Sequence, residues 1–290
     1  MFFHFSCGAA SCSRWKSMIY FFRWGKCSKQ SLPDTIKSVL RRGREKKILG
    51  IEKYIAPDVL KKFEFYTYNH ALEILYDAFP EEWNELQECF RGLRLTLQDI
   101  KKAGGNESPI PKKFDDILYP RGWREIRISG DLIVKKYPRQ TAQRRGRFAE
   151  EPYEVETIEG YIDGHNIDFL KNRVAFDLEW NSKDQTFDRD LLAMRTYFEC
   201  GLIDVGVIVT RAEELNEVFK RESDDNGQLL MKKYGASTTW MGKLLYRLDS
   251  RRNGGCPILA AGIRKECIEG SGRFSEYNRE FTAVHGGEEI

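Results

Sequence analysis

The chain has 290 residues, 41% hydrophobic and 31% charged, with a mean hydropathy of −0.55 and a formal net charge of +3. That length buries a substantial core in one large or two small domains, and no run approaches the ~20 apolar residues that span a bilayer. Seven scattered cysteines, without a CxxC pair, argue against a zinc knuckle and fit reduced thiols in a cytoplasm.

The charge is uneven. Residues 1–50 hold 11 Lys and Arg against 2 acids, and the remaining 240 hold 36 basic and 42 acidic side chains. The first segment has aromatics and cysteines without a period and no cleavable apolar core, so it is a poor secretory signal. Two readings stand for it: a basic arm on nucleic acid, or material upstream of a later true start. Residues 51–290 are expected to form one α/β domain.

From about Tyr68 the pattern is regular. Asn69 is expected to cap a helix carrying Leu72, Leu75 and Ala78, and Pro80 opens the next, striped by Trp83, Leu86 and Phe90. Gly, Asn, Ser and Pro make 102–113 a loop. Residues 121–148 hold nine basic side chains against two acids, among them Arg144, Arg145 and Arg147. Alone, such a run reads as a solvated face; beside a phosphodiesterase site it becomes a phosphate-contacting surface.

Tyr153–Ile158 reads as a strand, with Gly160 and Gly164 around a turn. Asn166–Leu170 and Arg173–Trp180 follow as two strands, then a helix from Asp188 to Cys200 with Leu191, Met194, Tyr197 and Phe198 inward. Ile203–Thr210 is apolar nearly throughout, as in a strand covered on both faces, so strand, helix and strand form a parallel crossover. Arg211–Gly227 reads as helix then loop, and Ile258–Ile263 as another apolar strand. The fold class is α/β, a mixed central sheet flanked by helices.

Along Arg173–Trp180, Val174, Phe176, Leu178 and Trp180 point one way, and Ala175, Asp177 and Glu179 the other. A two-residue turn at Lys171-Asn172 pairs Asp168 with Ala175 and sets it diagonal to Asp177, roughly 7–8 Å away. A three-residue loop would reverse the parity. Three clustered acids repel one another, and Mg²⁺ removes the conflict while polarising a phosphate and activating water. The competing reading is an exposed acidic strand face.

Three stretches carry a family resemblance: YNHALEIL at 68–75, NIDFLKNRVAFDLEWN at 166–181, and the following KDQTFDRDLLAMRTYFECGLIDVGVIVTR. Over about residues 60–265 the chain resembles type II restriction endonucleases of the PD-(D/E)xK superfamily, within the BglII-like group. The resemblance implies a restriction-endonuclease-like fold with Asp168, Asp177 and Glu179 catalytic. Asp168 and Asp177 would hold Mg²⁺, and Glu179 takes the position usually held by lysine. Ile167 stands where the pattern has proline. An upstream acid often completes such sites; Glu154, Glu156 and Glu159 are eligible, with Glu156 preferred from strand alternation.

The resemblance further implies a cytoplasmic homodimer cutting double-stranded DNA at a short palindrome containing GATC, with 5′ overhangs. Base readout needs polar side chains on loops, and Ser237, Thr238, Lys243, Arg251, Arg252 and Asn253 in the last third fit that need. Arg189, Asp190 and Arg195 are read as a dimer contact or as braces for the catalytic strand, and His165 and His70 as structural. The alternative function is a catalytically inactive DNA-binding protein on a nuclease fold. Nothing in the sequence marks the deep pocket of a sugar or phosphomonoester hydrolase.

Overall fold

The structure is a computed structural model that describes residues 50–102, 109–140, 146–162 and 164–274. The basic segment 1–49, Arg144 and Arg145 lie outside the described residues. The strands are β1 (Phe63–Tyr68), β2 (Arg124–Arg127), β3 (Gly130–Lys136), β4 (Glu154–Ile162), β5 (Asn166–Lys171), β6 (Val174–Glu179), β7 (Val205–Arg211) and β8 (Ile258–Ile263). The helices are α1 (Pro57–Lys62), α2 (Ala71–Ala78), α3 (Pro80–Gly92), α4 (Leu97–Lys101), α5 (Pro109–Leu118), α6 (Thr186–Glu199), α7 (Leu215–Arg221) and α8 (Met241–Asp249). Among the described residues, no helix is long and apolar enough to cross a membrane.

Six strands form one mixed sheet in the order β1-β8-β7-β6-β5-β2. β6, β7 and β8 run parallel and are buried at every residue, whereas β1, β5 and β2 are antiparallel to their neighbours. The β6–α6–β7 crossover is the one expected from the sequence. On one face Val174, Phe176 and Leu178 join the cluster holding Trp83, Phe90 and Phe114 of α3 and α5. On the other, Ala175, Ile208 and Ala260 join Leu191, Met194, Leu244 and Leu248 of α6 and α8. Burying such side chains contributes about 1.5–3 kcal/mol each, which holds the sheet between its two helical layers.

Gly206 of β7 sets how closely α6 approaches. A Cβ there would lie 2.5 Å from Met194 Sδ and 2.8 Å from Ile258 Cδ1. Asp190 is one helical turn before Met194 on the same face, so this approach also carries Asp190 inward to 1% exposure.

The structure corrects two boundaries. Asn69 does not cap α2: it sits at φ 52°, His70 at φ 63°, and the Leu72 N–H donates to Thr67 Oγ1 at 3.1 Å. The Asn69 side chain instead donates to the carbonyls of Gly254 and Cys256, both at 3.3 Å. The 102–113 loop ends early, because Pro109, needing no N–H partner in a first turn, opens α5. β1 and α8 were not anticipated.

Gly160, expected at a turn, lies within β4 at φ 63°, beside the irregular register between β3 and β4. These two strands form a separate two-stranded sheet with most of its residues exposed. It leaves the main sheet after β2 and returns just before β5.

Candidate active site

The β5–β6 turn occupies Asn172-Arg173, one residue later than expected, since Lys171 pairs with Val174. Asn172 takes φ 51°, a left-handed conformation that Asn tolerates better than Lys, and its side chain donates to Glu82 Oε1. The register therefore moves by two residues and keeps its parity. Asp168 stands opposite Asp177 rather than diagonal to it.

At that point the ladder gives way to side chains. The last regular pair is Phe169 with Phe176. Beyond it the Asp168 N–H donates to Asp177 Oδ1, and the Leu178 N–H donates to Asp168 Oδ2, each at 2.9 Å. The two carboxylates occupy the places of interstrand carbonyls, and the regular ladder ends there. Glu179, two residues along β6, lies on the same face as Asp177.

Helix α6 adds the fourth acid. Asp190 Oδ1 accepts from Arg189 Nη2 at 3.2 Å and lies 3.3 Å from His165 Nε2. Arg189 Nη2 is also 3.8 Å from Glu179 Oε1. The Tyr197 hydroxyl donates to the His165 carbonyl at 2.8 Å, fixing the segment that enters β5. A cleft of about 350 Å³ is lined by Glu125, Arg127, Gly164, His165, Asn166, Asp168 and Arg189.

Burial dominates the electrostatics. It pushes the Asp168 carboxyl up to about 6; the Leu178 N–H opposes the rise, and Asp190 and Glu125 add to it. Burial, then Asp190 and Asp168, hold Asp177 well above the usual carboxylate range. Glu179 is pushed up to about 8 by burial and then by Asp190. Asp177 Oδ2, Glu179 Oε2 and Asp190 Oδ2 are all buried without a hydrogen-bond partner. Buried polar atoms are normally satisfied, so three unpartnered carboxylate oxygens in adjoining side chains suit a cation. Among the described residues, no three His, Cys, Asp or Glu side chains already converge on one metal position.

Asp168, Asp177 and Glu179 are thus brought together. Glu156 is not: it lies on β4, opposite Val134, with an oxygen 3.6 Å from Lys136 Nζ. The acid that does reach the cleft from upstream is Glu125 of β2, bonded to Asn166 Nδ2 at 2.9 Å. Its signal was hidden in a run read only for its positive charge. Asp190 did carry a signal, an acid on the apolar face between Phe187, Leu191 and Met194.

The residues selected for DNA contact are dispersed. Arg147, Ser237 and Arg251 are exposed, with Arg251 bonded to Asn69 Oδ1 at 3.3 Å. Thr238 is buried and accepts from Arg211 at 2.7 Å, and Asn253 is fully buried on the Cys256 carbonyl. Lys243 pairs with Asp184 at 3.2 Å, and Arg252 pairs with Asp188. Those four therefore serve internal contacts in this structure. Arg195 pairs with Glu199 at 2.8 Å rather than bracing β6.

A mixed sheet between two helical layers, with acids of an antiparallel strand pair splayed at a cleft, has the restriction-endonuclease-like architecture. The family described as Restriction endonuclease BglII/BglIII matches residues 63–263, from the first residue of β1 to the last of β8, and the chain belongs to that family. It is accordingly a type II site-specific deoxyribonuclease, a hydrolase whose substrate is DNA. No match is found among curated proteins.

Proposed function

We propose that this restriction endonuclease is Mg²⁺-dependent, with Asp168 and Asp177 holding the ion and Glu179 serving as the base. The observation that carries the reading is the interlocked Asp168–Asp177 pair, with unpartnered buried oxygens on Asp177 and Glu179 beside it. When bound, the cation supplies Lewis acidity to the phosphate and makes its water more acidic. Glu179 accepts a proton from the attacking water; the new O–P bond forms as the bond to the 3′ oxygen breaks, and that oxygen takes a proton from solvent. A base whose pKa lies near working pH suits this task.

The chain is proposed to act in the cytoplasm as a homodimer on a short palindrome containing GATC, leaving 5′ overhangs, because a palindrome presents the same half-site twice. Exposed Arg147, Ser237 and Arg251 are the surface side chains that best support the DNA contacts expected from sequence.

The test is plasmid cleavage by Asp168→Asn and Glu179→Ala with Mg²⁺, alongside duplex binding with Ca²⁺. Both variants should lose cutting while binding persists, and Ca²⁺ should raise the melting temperature of the wild type but not of Asp168→Asn. Full cutting by either variant removes the residue assignment. Sequencing the ends of digested unmethylated bacteriophage DNA reads the site and overhang directly.

A further inference from the structure

Asp168 lines the cleft, and Asp177, Glu179 and Asp190 lie buried beside it, so the site is acidic throughout. A phosphodiester entering among them is an anion approaching anions. A cation opposite the strands is needed to hold it, beyond any charge a bound metal supplies. The cleft lining includes three side chains able to carry positive charge: Arg127, His165 and Arg189.

Two of them hold partners other than the strand acids. Arg127 is exposed, and its Nε donates to the Gly164 carbonyl at 2.9 Å. His165 Nε2 is turned onto Asp190 at 3.3 Å. Arg189 differs. Its side chain is 56% exposed, and its guanidinium lies between Asp190, at 3.2 Å, and Glu179, at 3.8 Å. It is thus tethered at the cleft by α6 while still presenting N–H groups to solvent, in the planar form that matches phosphate oxygens.

We propose that Arg189 is a phosphate-binding residue of the active site, its guanidinium donating to a nonbridging oxygen of the scissile phosphate while Asp190 holds it in place. The proposal rests on the phosphodiesterase reading of the cleft. Asp190 is a positioning residue in this arrangement: its Oδ1 faces both Arg189 and His165, and the close packing of α6 at Gly206 fixes its depth. Glu179 is then left for proton transfer, with positive charge delivered from the helix rather than from the strand.

The test compares the full-length wild type, Arg189→Ala and Arg189→Lys, with Lys220→Ala, an exposed α7 side chain paired with Glu217, as control. Binding to a fragment of unmethylated bacteriophage DNA is measured over a range of KCl, with Ca²⁺ in place of Mg²⁺. Loss of one phosphate contact makes the slope of log K against log[salt] shallower by about 0.9. Arg189→Ala should show that change, while Arg189→Lys and the control keep the wild-type slope. With Mg²⁺, single-turnover cleavage by Arg189→Ala should fall on the order of 10²–10³-fold. Added guanidinium should restore part of that rate, which a merely structural role would not permit.

An unchanged slope overturns the proposal, and so does undiminished cutting by Arg189→Ala. Should the wild type itself cut nothing under any divalent metal, the Mg²⁺ reading falls while the salt slope still decides the Arg189 contact.

Discussion

Asp177 shows at the scale of one residue how function opposes stability in this protein. Its carboxyl is 4% exposed, one oxygen accepts the Asp168 N–H, and the other has no partner. Burial and two neighbouring acids hold its pKa high, so charge at that position is destabilising without a cation. Asn keeps an acceptor for the Asp168 N–H and removes the ionisable group. Asp177→Asn should therefore stabilise the metal-free protein by about 1–2 kcal/mol, a rise in melting temperature of roughly 2–4 °C per kcal/mol at this size. The same variant should lose cleavage. A lower melting temperature in EDTA would show that the buried acid is not a source of strain.

At the scale of elements, β1 carries a partly buried acid away from the cleft. Glu64 lies tight against Gly262 of β8 and faces Glu214 and Glu213 before α7, Arg264 after β8, and the Tyr66 hydroxyl. Burial first, and then Glu214, push it from 4.5 up to about 7 despite the opposing pull of Arg264. Because the folded pKa is raised, Glu64 ionises in the unfolded chain before it ionises in the native one. Stability from this residue is fully present below pH 4.5 and is lost as pH rises to about 7. Glu64→Gln should match the wild type near pH 4.5 and exceed it at pH 8 by about 2 kcal/mol, measured by urea denaturation at both values. Equal stability at pH 8 would place the Glu64 carboxyl in water.

Elements also differ in how plainly the sequence announces them. β7 and β8 read directly as apolar runs, and α6 as a stripe ended by Gly201 at φ 70°. β1 did not, because an edge strand of alternating aromatics and polar residues (FEFYTY) has no unbroken apolar run. The shared face of Asp168 and Asp177 was legible from alternation combined with a two-residue turn. Their direct apposition was not, since it depends on whether Lys171 or Asn172 opens the turn, and that is decided by left-handed backbone at Asn172 and its bond to Glu82. Glu125 reaches the cleft only through the packing of β2 against β5, which no local pattern encodes, whereas Asp190 was marked by its place on the apolar stripe of α6.

At the scale of the whole molecule, the described residues combine a main sheet with a buried centre and a separate, largely exposed hairpin. The β3–β4 sheet has exposed apolar side chains, with Ile133 59%, Val155 56% and Tyr161 61% exposed, and Lys135, Arg139 and Arg147 on and near it are exposed too. Two strands open to water on both sides contribute little to a core, and their edges are normally protected or used. The hairpin arises beside the cleft, because Arg127 and Gly164, at its base, are both cleft-lining residues. Gly130 and Ile162 are Cα partners across its root, so a short Gly-Asn link between them can replace residues 131–161 without moving β2 or β5. That deletion should leave a cooperative transition, with stability changed by about 1 kcal/mol or less, since a shorter loop offsets lost contacts. Duplex binding should weaken, and its salt slope should become shallower by roughly one for each phosphate contact removed. Loss of cooperative unfolding would make the hairpin part of the core after all. An unchanged salt slope would mean that the basic run meets no DNA, leaving the readout to the loops beside α8.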